Sequence, residues 1–192
     1  MSRGEYFVLV YIIEENRRLF NLAKKMLKNS RKYIFLYEDA EFSADMQEYM
    51  ACNEVLVFKA VFPKKIDAEM KVGSVDLAVF GEVESDINAD LSKVKTSLLN
   101  IENIDRLKNI DFGSSQVITC GLREKDTVIF SSIDLDEGNV MLDLQRSIVN
   151  IKGENIEPFE KKILLEGCTE GYDAEDILFA LTVLLYCGRV RS

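Results

Sequence analysis

Histidine and tryptophan are absent from the 192 residues, proline occurs only twice, and no glycine-rich turn follows the first apolar run. Without histidine, the Ser-His and Cys-His nucleophile pairs are excluded, and any catalysis falls to carboxylates, lysine, tyrosine or a metal held by oxygen ligands. Cys52, Cys120, Cys168 and Cys187 are widely spaced with no CxxC pair, so a structural zinc site would need thiolates from four distant segments. They are read as reduced, core-filling thiols. Positive charge is also scarce: 24 bases against 33 acids leave a net charge of -9, which repels polyanions. Neither nucleic acid nor an anionic membrane is an expected partner. The longest apolar run, Ile177 to Gly188, falls short of the ~20 residues that cross a bilayer and reads as a buried helix. Met1-Ser2-Arg3-Gly4-Glu5 carries no secretory pattern, and a cytoplasmic location is expected.

What is present is a core-forming pattern, with 47% hydrophobic residues. Over the first hundred residues apolar runs alternate with amphipathic stretches, which predicts a largely parallel sheet between helices. Strands are expected at 6–13, 32–38, 54–60, 75–81 and 97–100. Leu19, Phe20, Ala23, Met26 and Leu27 share one helical face, with Glu14 and Glu15 at its positive end and Lys24, Lys25 and Lys28 near its negative end. Further helices are expected at 45–52 and 89–95, capped by Ser43 and Asn88, and a short one at 64–71. From Ser115 the pattern becomes an antiparallel meander at 116–120, 127–133, 139–144, 147–151 and 161–165, with hairpin turns at Asp136-Glu137-Gly138-Asn139 and Lys152-Gly153-Glu154-Asn155. A helix from Ala174 to Tyr186 closes the chain.

The order of these pieces, with the segments Val117-Ile118-Thr119-Cys120-Gly121-Leu122, Leu99-Asn100-Ile101-Glu102-Asn103, Val75 to Ser85 and Gly171-Tyr172-Asp173-Ala174-Glu175-Asp176-Ile177, resembles the central ATP-binding domain of the Mur ligase family. The resemblance implies an α/β fold: a Rossmann-like, mostly parallel sheet flanked by helices, with a small antiparallel β-lobe near the C-terminus and a closing helix. It spans a single domain, with an α/β part at 1–114, the β-lobe at 115–170 and the closing helix at 171–192. Family members carry a G-T-N-G-K-T loop for ATP, an acid for magnesium, nearby histidines, and asparagines at the closing helix near the adenine. Here the loop reads Ile13-Glu14-Glu15-Asn16-Arg17-Arg18, the histidines are missing, and the asparagine positions hold Ala174 and Ile177. The appended substrate domains of the family have no counterpart in these residues.

A polyphosphate needs a ring of amides, a lysine and magnesium to offset its charge, and two glutamates there reverse the local potential. The chain therefore reads as a Mur-ligase-like domain with a degenerate phosphate loop and no ligase chemistry, acting by binding a protein partner or a small metabolite. Two alternatives stay open: a metal-assisted, ATP-dependent ligase or transferase with an unorthodox nucleotide site, and a structural subunit of a larger assembly. Glu82, Glu84 and Asp86 alternate at the end of the fourth strand, the edge where open α/β sheets bind ligands, and are the candidate metal or ligand cluster, with magnesium the possible ion. Asn100, Tyr172, Asp173 and Asp176 are the candidates for a vestigial nucleotide pocket; Asp173 also suits a helix cap. No other cofactor is expected. Arg17 and Arg18 are read as solvated helix residues. Asp111-Phe112-Gly113, Ser114-Ser115 and Ser131-Ser132 lack the partners that catalysis would require and read as structural. Tyr6, Tyr11, Tyr33, Tyr37 and Tyr49 read as core edges.

Overall fold

The computed structural model describes residues 7–27, 32–38, 40–41, 43–52, 54–66, 74–100, 105–108, 110–165, 167 and 170–190. Expectations that fall on Tyr6, Lys28, residues 67–71, Ile101-Glu102-Asn103 and Cys168 lie outside them, as does the side chain of Cys52.

The first apolar run forms β1 (Phe7–Ile13), and from Leu9 to Ile13 it is buried on both faces, as a central parallel strand requires. It lies between β3 (Val55–Val61) and β4 (Val75–Phe80). Beyond β3 runs the short β2 (Tyr33–Leu36), and beyond β4 run β5 (Val94–Asn100) and β6 (Gln116–Cys120). All these neighbours pair in parallel, and β6 touches β7 (Val128–Asp134) in parallel at Cys120 and Val128. There the direction changes. β7, β8 (Asn139–Leu144) and β11 (Phe159–Leu164) are antiparallel, so the expected lobe is largely the far wing of the same nine-stranded sheet.

The remainder of the lobe is a separate two-stranded hairpin, β9 (Ile148–Val149) with β10 (Asn155–Ile156). The single strand expected at 147–151 is interrupted because Asn150 turns the chain: its Oδ1 accepts from the amides of Lys152 and Glu154, both at 2.9 Å, and Gly153 takes φ 79°.

Two apolar layers cover the sheet. On one face α1 (Arg18–Met26) and the closing helix α3 (Ala174–Tyr186) pack against Val10, Ile12, Leu77, Val79 and Leu98. Every residue of α3 from Ile177 to Tyr186 is buried, the pattern of a helix that is apolar around its whole circumference. Its one polar interior residue, Thr182, is satisfied by donating to the Leu178 carbonyl at 2.8 Å and accepting from the Cys120 thiol at 3.0 Å. Cys120 and Cys187 are free and buried, and burial pushes both thiols up, that of Cys187 to about 12, so both are inert fillers. On the other face Leu9, Tyr11, Ile13, Val57 and Phe80 pack with Met50 of α2 (Ala44–Cys52) and with Val83, Ile87 and Leu91. Ser43 caps α2, its Oγ accepting from the Met46 amide at 3.2 Å.

The helix expected at 89–95 does not form, so no helix starts after Asn88. Asp90 Oδ1 accepts from the Ser92 amide at 2.9 Å, a local turn that competes with helix, and β5 begins at Val94. Of the short helix expected at 64–71, the described residues hold a 3-10 turn at Pro63–Lys65 followed by helical Ile66.

Behind the end of β6, Asp126 is almost wholly buried against Gly121, where an added Cβ would stand 2.3 Å from its Oδ2. Gly121→Ala should therefore lower unfolding free energy by about 1–3 kcal/mol, the usual cost of overpacking. Urea denaturation checks this, and a loss below about 0.5 kcal/mol would contradict tight packing between Gly121 and Asp126.

Candidate functional site

The carboxyl ends of β1, β3, β4 and β5 meet the amino ends of α1 and α3. β1 enters its loop at Glu14, whose amide donates to the Val61 carbonyl at 3.3 Å, while the Gly81 amide donates to the Ile13 carbonyl at 2.9 Å. The loop is thus stitched to both neighbouring strands.

The Glu14 side chain turns inward under α1. Its Oε2 accepts from the Leu19 amide at 2.9 Å and its Oε1 from the Phe20 amide at 2.8 Å, and the residue is 3% exposed. Two of the amide donors that a helix N-terminus leaves unsatisfied are therefore filled by a carboxylate from the same chain. The missing side chain of Gly81 makes room for it, since a Cβ there would lie 3.2 Å from Glu14 Cβ. Burial raises the Glu14 pKa above the ordinary value, with the two amide bonds from Phe20 and Leu19 pulling the other way.

The rest of the loop is equally committed. Glu15 Oε1 accepts from Ser85 Oγ at 2.7 Å, and Asn16 donates to Glu82 at 2.7 Å. Arg17 sits in the left-handed region at φ 59°, a conformation that costs a non-glycine residue energy. It is held there by an ion pair to the buried Glu38 and by the Tyr37 and Phe62 rings, 5.5 and 5.6 Å from its guanidinium. Arg18 reaches across to α3, bonding Asp176 at 2.6 and 3.0 Å, Asp173 at 3.3 Å and the Gly171 carbonyl at 3.4 Å. The bond to Asp176 raises its pKa further. Both arginines are thus engaged, contrary to the expectation of solvated helix residues, because acids from segments remote in sequence converge on them.

Three of the four residues assigned to a vestigial nucleotide pocket share one cleft: Asn100, Asp173 and Asp176, together with Glu82, Glu175, Leu19, Gly81 and Phe179, line a cavity of about 220 Å³. Tyr172 stands outside it, with the Arg18 guanidinium 5.8 Å from its ring. Asp173 is the N-cap of α3, its Oδ1 accepting from the Asp176 amide at 2.9 Å. Asn100 is buried at the end of β5 and donates to Glu175 at 3.3 Å.

Glu82, Glu84 and Asp86 are all exposed and alternate with Val83 and Ile87, which are buried. Glu82, Glu84 and Asp86 line one open cleft together with Asp105, Arg106 and Lys108; within it Glu82 accepts from Asn16 and Asp86 pairs with Lys108 at 2.9 Å. Among the described residues no group of three Asp, Glu, Cys or His side chains is placed to hold a metal ion.

Sequence reasoning placed two carboxylates at this helix entry without showing that only Glu14 is the internal ligand. Glu38, the buried partner of Arg17, and Glu175, the partner of Asn100, were missed. No local signal marks either, because each contact joins segments far apart in the chain.

No family model and no curated protein matches the chain. In three dimensions it is similar to UDP-N-acetylmuramoylalanyl-D-glutamyl-2,6-diaminopimelate--D-alanyl-D-alanyl ligase from Acinetobacter baumannii, at a TM-score of 0.53 and 9% identity. The match covers 95% of this chain and 43% of that ligase, so the chain spans less than half of its length. The fold is thus Mur-ligase-like. Likeness at this identity carries the fold and nothing of the chemistry.

Because Glu14 has a raised pKa, its contribution to stability is fully present below the ordinary value of 4.5 and is lost as pH rises through the folded value. Glutamine keeps one carbonyl oxygen but cannot ionise. In urea unfolding, the stability of the parent relative to Glu14→Gln should therefore fall as pH is raised from 4.5. A flat or rising difference would contradict a buried, desolvated carboxylate.

Proposed function

We propose that this chain is a Mur-ligase-like domain that works by recognition, binding a protein partner or a small metabolite at the C-terminal edge of its sheet, without ATP-dependent ligation. The observation that carries this reading is the Glu14 carboxylate seated on the Leu19 and Phe20 amides. In an α/β nucleotide enzyme those donors would face phosphate. Here a phosphate would meet a buried anion from the same chain, with Glu82, Asp173, Glu175 and Asp176 lining the adjoining cleft.

The magnitude favours exclusion. Like charges about 4 Å apart near a protein surface repel by roughly 4 kcal/mol, close to three powers of ten in affinity. Arg18 offers little compensation, because its guanidinium is already shared between Asp176 and Asp173. The cleft is instead suited to neutral or cationic groups, with Leu19 and Phe179 as its apolar walls.

Thermal unfolding with millimolar ATP and magnesium, beside UDP-linked peptides and folates, tests the reading, since a ligand held only by the folded state raises its stability. We expect no rise with ATP and magnesium. A rise of several degrees would overturn the assignment and restore a nucleotide enzyme with an unorthodox phosphate site.

A further inference from the structure

β11 is one end of the nine-stranded sheet: it pairs with β8 on one side, and among the described residues no strand pairs with its other side. Protected edges are ordinarily short, bulged or interrupted by proline. β11 is none of these, running Phe159–Leu164 in unbroken register with β8, and Pro158 lies before it. Its outward residues are Glu160, Lys162 and Leu164, the last 66% exposed, while Phe159 and Ile163 pack against the core.

Lysine on an edge is usually a guard against pairing. Here an acid stands two residues before it on the same face, and that spacing is complementary to itself. When two copies of β11 lie antiparallel about a two-fold axis at Lys161, Glu160 of each copy faces Lys162 of the other, and Phe159 faces Ile163 on the inner side. The Lys162 side chain has no ion-pair or hydrogen-bond partner among the described residues, its backbone pairing with β8. Glu160 is already fixed on the outer face by Ser131 Oγ. The two Lys161 side chains meet at the axis and oppose the pairing, but each is engaged by interactions within its own chain. The pairing is accordingly a modest and reversible one.

We propose that β11 is a self-association edge, and that two copies of this chain join their sheets through an antiparallel β11 pair in the Glu160 to Lys162 register. This is independent of the nucleotide question, since β11 lies at the far end of the sheet order from β1 and β3.

Sedimentation velocity over micromolar to millimolar concentration tests it, with circular dichroism confirming that each variant is folded. The parent chain should pass from the 21.9 kDa monomer to twice that mass as concentration rises. Lys162→Glu places like charges opposite each other at both contacts and should weaken dimerisation at least tenfold. The charge-exchanged double variant, Glu160→Lys with Lys162→Glu, should restore it. A parent that stays monomeric at millimolar concentration would overturn the proposal. So would a dimer indifferent to Lys162→Glu, or one that the exchanged pair fails to restore.

Discussion

A carboxylate bonded to two backbone amides at the start of α1 organises this end of the molecule. Glu14 is buried, and burying an ionised group without partners would be prohibitive; the Leu19 and Phe20 amides, with the positive end of the helix behind them, make it tolerable. The same contact satisfies donors that would otherwise need water or a ligand. With Glu14 in that position, each side chain of the loop from Glu15 to Arg18 binds the loop to a neighbouring segment.

Those ties hold the loop against the neighbouring segments of the sheet edge. Arg17 fixes the loop to the end of β2 through Glu38, and Arg18 fixes it to the start of α3 through Asp176 and Asp173. α3 is in turn buried along its length and anchored to the sheet by Thr182 and by Tyr186, whose hydroxyl donates to Thr96 at 3.1 Å. The acids that draw the arginines in also leave the adjoining cleft rich in negative charge. The same side chains therefore account for both the order of the loop and the negative charge of the cleft.

The strands β1 to β4 were legible because their apolar runs are unbroken or interrupted once, at Lys59 and Asp76, whereas Lys95 and Thr96 hid the start of β5; α1 and α3 were legible because their buried residues follow helical spacing or surround the helix. The stretch 89–95 misled because Leu91 and Val94 are apolar at i, i+3 spacing, while Asp90 closes a local turn that no periodicity records. The hairpin of β9 and β10 was blurred for a similar reason, the turn being made by the Asn150 side chain. Of the site, the acidic helix entry could be read directly from Ile13-Glu14-Glu15, since strand end and helix start are both local. The pairing of Arg18 with Asp176 joins residues 158 positions apart, and nothing in either segment alone announces it. Glu82, Glu84 and Asp86 alternate in the sequence, which sets only the side of the chain, and their partners Asn16 and Lys108 decide where Glu82 and Asp86 turn.

The most direct measurement is a pH titration of the backbone amide resonances of Leu19 and Phe20 by NMR, repeated at neutral pH with millimolar pyrophosphate. If Glu14 is their internal anion, both resonances will titrate together with a midpoint above the ordinary glutamate value of 4.5, and neither will move when pyrophosphate is added. Amides that ignore pH and shift with pyrophosphate would reveal an open phosphate site and contradict an internal anion at Glu14.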